Sequence, residues 1–335
     1  MHLLIPYAAS TAPACRAALP DLRLPHLTHL LAHLSLTHTD LDPPDDTPPL
    51  ALPHERALAR ALGLPGDTAG HDGLTPWAAH HVAQHGLSAA TDEPAAPAAD
   101  TAWAWLTPCH WQVGMDRVVM PDPAHLALTE AESRTLLAAM RPYFAEDGIT
   151  LHWAEPHRWL ACGEIFRHLP CASIDRVVGH NVHEWLPATP STRLLRRLQS
   201  EMQMLLYTHP VNDARSERRQ WTVNAFWISG AGAWPTAGTS SATASTSPAT
   251  PPLMPTALRV PALQGDAASW AAAWAQIDAS ECAALRAELE RGEPVSLTLC
   301  SERSAQTFEL RPRSLWSRLS TLGRTPAIAT VLESL

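Results

Sequence analysis

The 335-residue sequence contains no lysine, so all 24 of its basic residues are arginines. This absence excludes a Schiff base on a lysine amine, a phosphate-binding P-loop and a kinase active site, since each of them needs a lysine. Recognition of a phosphate or a carboxylate must therefore use arginine, histidine or backbone N–H groups.

Histidine is unevenly distributed, because all 18 histidines lie at or before His209. Imidazole nitrogen is a common ligand of transition metals. The part of the chain after His209 can therefore supply carboxylate ligands to a metal, but no imidazole ligand.

The sequence also lacks a long apolar run, a basic N-terminal segment and any excess of positive charge. A membrane-spanning helix needs roughly 20 apolar residues, and a secretory signal begins with basic residues. The net charge of −9 disfavours binding to nucleic acid or to an anionic membrane. We expect a cytoplasmic protein that binds neither nucleic acid nor membrane. Its six cysteines form no CxxC pair and are expected to be free thiols.

Segments with helical and strand periodicity alternate along most of the chain, which predicts an α/β fold with helices covering a sheet. The clearest helix is 129–144, where Thr129 and Glu132 form a capping box. A second clear helix is 191–207. The predicted strands are 2–6, 149–153, 158–163, 222–229 and 295–300. Residues 233–256 are rich in Ser, Thr, Ala and Pro and predict a flexible loop.

The segment "HPVNDARSERRQWTVNAFWISGAG", residues 209–232, combines several groups that can bind an anion. His209 follows the second helix, Pro210 is expected to stop that helix, and Asn212 can turn the backbone. Arginine guanidinium groups supply forked donors, and a glycine-rich backbone can complete an anion cradle. The predicted ligand-binding residues in this segment are His209, Asn212, Arg215 and Asn224.

Three histidine groups could instead bind a metal. His26, His29 and His33 share helical spacing, as do His81 and His85, but neither group has the HExxH pattern. A polar helix face in a chain without lysine explains both groups equally well. The motif "GHNVHEW" brings together His180, His183 and Glu184, which could ligate a metal, act in acid–base chemistry or form hydrogen bonds within a loop.

The segment 209–232 resembles a conserved part of the archaeal-type, cofactor-independent phosphoglycerate mutases, which belong to the alkaline phosphatase superfamily. The elements "GITLHWAEPHRWLACG", "ASIDRVVGHNVHEWLP" and "LPDLRLPHLTHLLAHL" resemble other parts of the same family in the same order. The whole chain also resembles bacterial Rpf E-type regulatory proteins, many of which are labelled phosphoglycerate mutase by similarity alone. The resemblance implies an alkaline-phosphatase-like sheet with an inserted α/β domain. It also adds Arg117, Arg158 and Arg176 to the expected ligand-binding residues.

That superfamily transfers phosphoryl groups with two metal ions held by Asp and His ligands. Where the family has a metal-binding Asp after its first strand, this chain reads "IPYAAS". Where a strand ending in Asp-His is expected, it reads "VSLTLCSERS". For the nucleophile of the family, the resemblance offers only Thr75, and only by its position in the sequence. The resemblance therefore implies the fold and an anion-binding role, without the metal ligands of a working enzyme.

We therefore expect a reduced mutase-like domain at 1–102 and 206–335, and an insert domain at 103–205. The expected role is regulatory binding of a phosphorylated small molecule or a protein partner, without catalysis and without a metal cofactor. One alternative is an active, 2,3-bisphosphoglycerate-independent mutase or phosphatase whose Mn or Zn site is rebuilt from N-terminal histidines, above all His180 and His183. Another is a protein-interaction module that binds no ligand.

Overall fold

In the computed structural model, residues 1–43, 48–64, 71–86, 100–186, 192–234, 250–310 and 327–335 are described. The chain forms two compact units. The terminal unit comprises residues 1–48, 52–63 and 246–335, and the central unit comprises residues 49–51 and 64–245.

The terminal unit contains a four-stranded sheet with the order β1-β9-β10-β2. These strands are β1 (His2–Ile5), β2 (Ser35–Leu41), β9 (Ser296–Cys300) and β10 (Ser304–Glu309). β1 pairs with β9 in parallel, whereas β10 is antiparallel to both β9 and β2. The strands β1, β9 and β2 therefore run in the same direction and end at the same edge of the sheet.

Seven helices belong to the terminal unit among its described residues. They are α1 (Pro13–Ala18), α2 (Pro25–His33), α3 (Pro53–Leu62), α9 (Arg259–Gln264), α10 (Ala267–Ile277), α11 (Ala283–Glu290) and α12 (Ile328–Glu333). Trp270 and Trp274 are fully buried in the core, and their indole N–H groups donate to the carbonyls of Tyr7 and Ala8 at 3.1 Å each. These bonds fix α10 against the chain that follows β1.

The central unit contains a four-stranded antiparallel sheet with the order β6-β7-β3-β8. Its strands are β3 (Ala102–Cys109), β6 (Thr150–Glu155), β7 (Arg158–Cys162) and β8 (Ala225–Ala233). A small hairpin is formed by β4 (Gln112–Val113) and β5 (Val118–Val119). The helices of this unit are α4 (Trp77–His85), α5 (Glu130–Glu146), α6 (Ile174–Val177), α7 (Thr192–Tyr207) and α8 (Pro210–Glu217).

The predicted α/β class is confirmed, with helices packed on sheets in each unit. The capping box of α5 is also confirmed, since the Thr129 hydroxyl accepts from Glu132 N at 3.2 Å and the Glu132 carboxylate accepts from Thr129 N at 3.1 Å. Within the described residues, no helix is both long and apolar enough to cross a bilayer. All six cysteines are free.

The division of the chain differs from the predicted domain boundaries. The sequence placed residues 206–335 with the N-terminal part, but β8 pairs with β3 along most of its length, so residues 206–234 belong to the central unit. The helix α4 lies in this unit as well. Most of the loop predicted at 233–256, namely 235–249, lies outside the described residues, as does Ser191, the first residue of the predicted helix 191–207.

Candidate functional site

The segment predicted to bind an anion forms the helix α8 and the strand β8. α7 ends at Tyr207, shortly before Pro210, and Pro210 also begins α8, because a proline fits the first helical turn, where its missing N–H is not needed. His209 is the N-cap of α8, and its Nδ1 accepts from Val211 N at 3.2 Å. Burial lowers the pKa of His209 from its ordinary value, although the nearby Asp213 carboxylate opposes the shift.

Asn212 lies inside α8 and is 4% exposed. Its amide nitrogen donates to the carbonyls of Leu206 and Val223 at 2.7 Å each, and its amide oxygen accepts from Val223 N at 2.9 Å. The side chain therefore joins the end of α7 to the segment that leads into β8. These bonds give Asn212 a structural role in place of the predicted contact with a ligand.

Arg215 also has a structural role, because its side chain has no exposed surface and cannot touch a soluble anion. Its Nε donates to the Trp221 carbonyl at 2.7 Å, one terminal nitrogen donates to Glu132 Oε2 at 2.9 Å, and the other donates to the Leu126 carbonyl. Arg218 binds the second oxygen of Glu132 at 2.6 Å. Arg215, which was predicted to bind an anionic ligand, therefore pairs with the protein's own Glu132 carboxylate, which Arg218 shares.

The remaining parts of the predicted cradle are also used internally. Asn224 exchanges two hydrogen bonds with the backbone of Trp111, accepting from its N–H at 2.6 Å and donating to its carbonyl at 3.0 Å. At Gly230 an added Cβ would lie 2.8 Å from the Cβ of Trp77, so this glycine allows α4 to approach β8 closely. The motif that looked like an anion cradle therefore positions α8, β8 and α4.

The structure separates the arginines that the resemblance added. Arg117 lies exposed in the β4–β5 turn. Arg158 is exposed, stacks on the Trp105 ring with its guanidinium carbon 4.2 Å from the ring centroid, and pairs with Glu155 at 2.8 Å. Arg176, in α6, is buried and donates to the Ala51 carbonyl at 3.3 Å.

His180 and His183 are both exposed; His180 precedes a one-turn helix of residues 182–184 and His183 lies within it. Nδ1 of His180 lies 3.0 Å from the Val178 carbonyl oxygen, and its ring packs edge-on against Trp185. Among the described residues, no group of three or more His, Cys, Asp or Glu side chains is arranged to hold a metal ion.

In the terminal unit, β1 and β9 end side by side, which is where the resemblance would place metal ligands. The carboxylate nearest to the end of β9 in sequence is Glu302. It accepts from Thr11 N at 3.1 and 3.0 Å and from the Ser10 hydroxyl at 3.1 Å. This carboxylate is therefore bound to the loop that follows β1. Thr75, the nucleophile suggested by position, belongs to the central unit and is 5% exposed.

A cavity of about 560 Å³ lies in the central unit, between α7 and β8. This volume is within the range of small-molecule sites, which is roughly 300–1,000 Å³. The strand side contributes Phe226, Trp227 and Ile228, and Trp111 adds a further aromatic wall. The helix side contributes Arg196, Gln199, Ser200 and Gln203.

Two polar groups beside this cavity lack oxygen or nitrogen partners. The indole Nε1 of Trp111 and the amide Nε2 of Gln199 are buried atoms without such a partner among the described residues, and the indole N–H is directed to the Cys109 thiol. Burial raises the pKa of the adjacent Cys109 thiol, and the Trp111 indole only partly opposes this shift. The thiol therefore stays protonated, and a thiol is a weak acceptor for the indole N–H.

Trp111 is 7% exposed. The sequence predicts a helix for the residues of α7, without a functional site on it. A signal was available, because Arg196, Gln199, Ser200 and Gln203 recur at spacings of three and four residues and form a polar stripe beside the apolar face.

Comparisons with solved structures include two likenesses at low sequence identity. A cofactor-independent phosphoglycerate mutase from Thermoplasma acidophilum is 13% identical, with a TM-score of 0.35 over 100% of this chain and 98% of that chain. The PH0037 protein from Pyrococcus horikoshii is 10% identical, with a TM-score of 0.43 over 92% of this chain and 86% of that chain. No family model matches the sequence, and no curated protein matches it. At these TM-scores and identities, neither likeness establishes an activity.

Proposed function

We propose that the chain is a mutase-like protein that does not transfer phosphoryl groups and that acts by binding a small molecule in the cavity of the central unit. The observation that carries this proposal is the 560 Å³ cavity between α7 and β8, beside which buried donors of Trp111 and Gln199 have no oxygen or nitrogen partner among the described residues. An unpaired buried donor is costly, so such donors mark places where a ligand oxygen can bind.

The sequence supports the loss of phosphoryl transfer. The resemblance to the mutases extends from Trp103 to Gly232, but no histidine follows His209 and no carboxylate occupies the first five positions after β1. Two-metal catalysis needs ligands in both places. The arginines that might have held a phosphorylated substrate bind Glu132 instead.

Binding can be tested with 8-anilinonaphthalene-1-sulfonate, an apolar anion whose fluorescence rises in apolar sites. We expect a single saturable site. The variant Ser200→Trp, which fills the cavity, should abolish this signal. Met204→Trp is a matched control on the same helix, because Met204 is 77% exposed and does not line the cavity. Saturable binding that Ser200→Trp leaves intact would show that the cavity is not the site.

The catalytic side of the proposal needs a separate assay. Purified protein with Mn²⁺ is incubated with 3-phosphoglycerate, with and without a chelator. We expect no turnover in either condition. Turnover that the chelator abolishes would overturn the proposal that the chain has lost phosphoryl transfer, whatever the dye shows.

A further inference from the structure

The cavity has two chemically different sides. Its strand side is apolar and aromatic, and Trp227 is fixed there because its indole N–H donates to the Ala172 carbonyl at 3.1 Å. Trp111 and Phe226 add two more rings. Aromatic side chains provide large, flat apolar surfaces, against which planar molecules pack well.

The helix side is polar. Arg196, Gln199, Ser200 and Gln203 all line the cavity from one face of α7. The Ser200 hydroxyl donates to the Arg196 carbonyl at 3.0 Å, so it is already used within the helix. The groups that remain to meet a ligand include the guanidinium of Arg196 and the unpaired amide of Gln199.

The polar groups without oxygen or nitrogen partners are donors. Trp111 Nε1 can only donate, and Gln199 Nε2 is the donor end of its amide. A ligand that satisfies them must carry acceptor oxygens.

The charge of the residues that line the cavity indicates which acceptor group the ligand carries. Arg196 is a permanent cation, His183 is a second basic residue of the lining, and the described residues that line the cavity include no aspartate or glutamate. A carboxylate matches one guanidinium, since two oxygens pair with the forked N–H groups. A phosphate carries more charge into a site with apolar walls, and it is usually held by several cationic or backbone donors.

We infer that the cavity binds a planar, apolar molecule that carries a carboxylate. This inference rests on the small-molecule function proposed above. The ring system packs against Trp111, Phe226 and Trp227. The carboxylate oxygens accept from Trp111 Nε1 and Gln199 Nε2 and pair with Arg196.

The test uses isothermal titration calorimetry with the full chain and three probes. 2-Naphthoate is planar and anionic, 2-naphthamide has the same ring without the charge, and octanoate has the charge without the ring. We expect 2-naphthoate to bind more tightly than each of the others by about tenfold, which corresponds to one charge-assisted contact or one aromatic packing surface.

Variants assign the contacts. Arg196→Gln should weaken 2-naphthoate by about tenfold and leave 2-naphthamide unchanged, because only the anion uses the guanidinium. Arg193→Gln is the matched control, since Arg193 is an exposed arginine of the same helix that does not line the cavity. Trp111→Phe keeps a ring but removes the N–H, and it should weaken both naphthyl probes by about threefold to tenfold.

The outcomes separate the two proposals. If 2-naphthamide or octanoate binds as tightly as 2-naphthoate, or if Arg196→Gln binds 2-naphthoate as the unmodified chain does, the carboxylate inference is overturned while the cavity remains a binding site. Tighter binding of 2-naphthyl phosphate than of 2-naphthoate would overturn it as well. If neither the three probes nor the anilinonaphthalene dye binds, the proposed function itself fails.

Discussion

Arg215 in α8 and Glu132 in α5 form an ion pair at 2.9 Å in which the arginine is completely buried and the carboxylate is 14% exposed. The second carboxylate oxygen binds Arg218, whose side chain is 54% exposed. One carboxylate therefore pairs with a buried arginine and with a solvated one. The two pairs offer an internal comparison of what burial does to an ion pair.

Arg215→Met should strongly destabilise the central unit. The substitution removes the donors to Glu132 and to the carbonyls of Trp221 and Leu126, and breaking such a buried pair costs about 3–5 kcal/mol. Arg218→Met should cost less than about 1 kcal/mol, because its pair is exposed. Urea unfolding followed by tryptophan fluorescence measures both. Equal effects would contradict the structural role of Arg215.

The stability of the fold should depend on the ionisation of Glu132. Burial tends to raise the pKa of this carboxyl, but hydrogen bonds from Thr129 and the charges of Arg215 and Arg218 outweigh it and lower the pKa below 4.5. A carboxyl with a lowered folded-state pKa stabilises the protein above its unfolded-state pKa, and this contribution is lost as the pH falls through the folded-state value.

Glu132→Gln removes this titration. We therefore expect the variant to be less stable than the unmodified chain at pH 7, and the difference to shrink as the pH falls below about 4.5. The free energy of unfolding measured from pH 7 to pH 3 checks this. Glu130→Gln is the control in the same helical turn, since its side chain is 58% exposed. A gap between Glu132→Gln and the unmodified chain that stays constant with pH would contradict the prediction.

Asn212→Asp should strongly destabilise the protein, although the two side chains have nearly the same size and shape. It places an anionic oxygen against the carbonyls of Leu206 and Val223, where the amide now donates twice at 2.7 Å. We expect a loss of about 3 kcal/mol or more, because a buried charge faces two acceptors. Asn224→Asp is the matched comparison, since that half-buried amide donates to one carbonyl. Thermal unfolding should rank Asn212→Asp as the less stable of the two.

Local features were predictable from the sequence and distant contacts were not. The capping box of Thr129 and Glu132 was identified because its two residues are three positions apart. The second role of Glu132 was missed, because its partner Arg215 is 83 positions away and only the fold brings them together. Pro210 shows a related limit: the sequence predicted that the preceding helix ends before this proline, but not that the proline begins the next helix.

The cavity shows the same limit of prediction from the sequence. Trp111 is buried, as is typical of a large aromatic side chain in a strand-rich region. Whether its indole N–H finds an acceptor depends on the atoms around it, and no sequence pattern contains that information. The polar stripe of α7 was visible, but a stripe beside an apolar face is equally typical of a helix whose polar side faces solvent.

Gly230→Ala tests the close approach of α4 to β8. An added Cβ would lie 2.8 Å from the Trp77 Cβ and 3.2 Å from Trp105 Cδ1, and the backbone has φ +58°. Gly148→Ala is the matched control, because it has φ +70° with nothing within 4 Å of the added carbon. The control should lose about 1 kcal/mol from backbone strain alone. Gly230→Ala should lose that amount and roughly 1–3 kcal/mol more, since the packed neighbours must move. Denaturant unfolding of both variants measures the difference. Equal losses would show that the packing of α4 against β8 does not require a glycine at position 230.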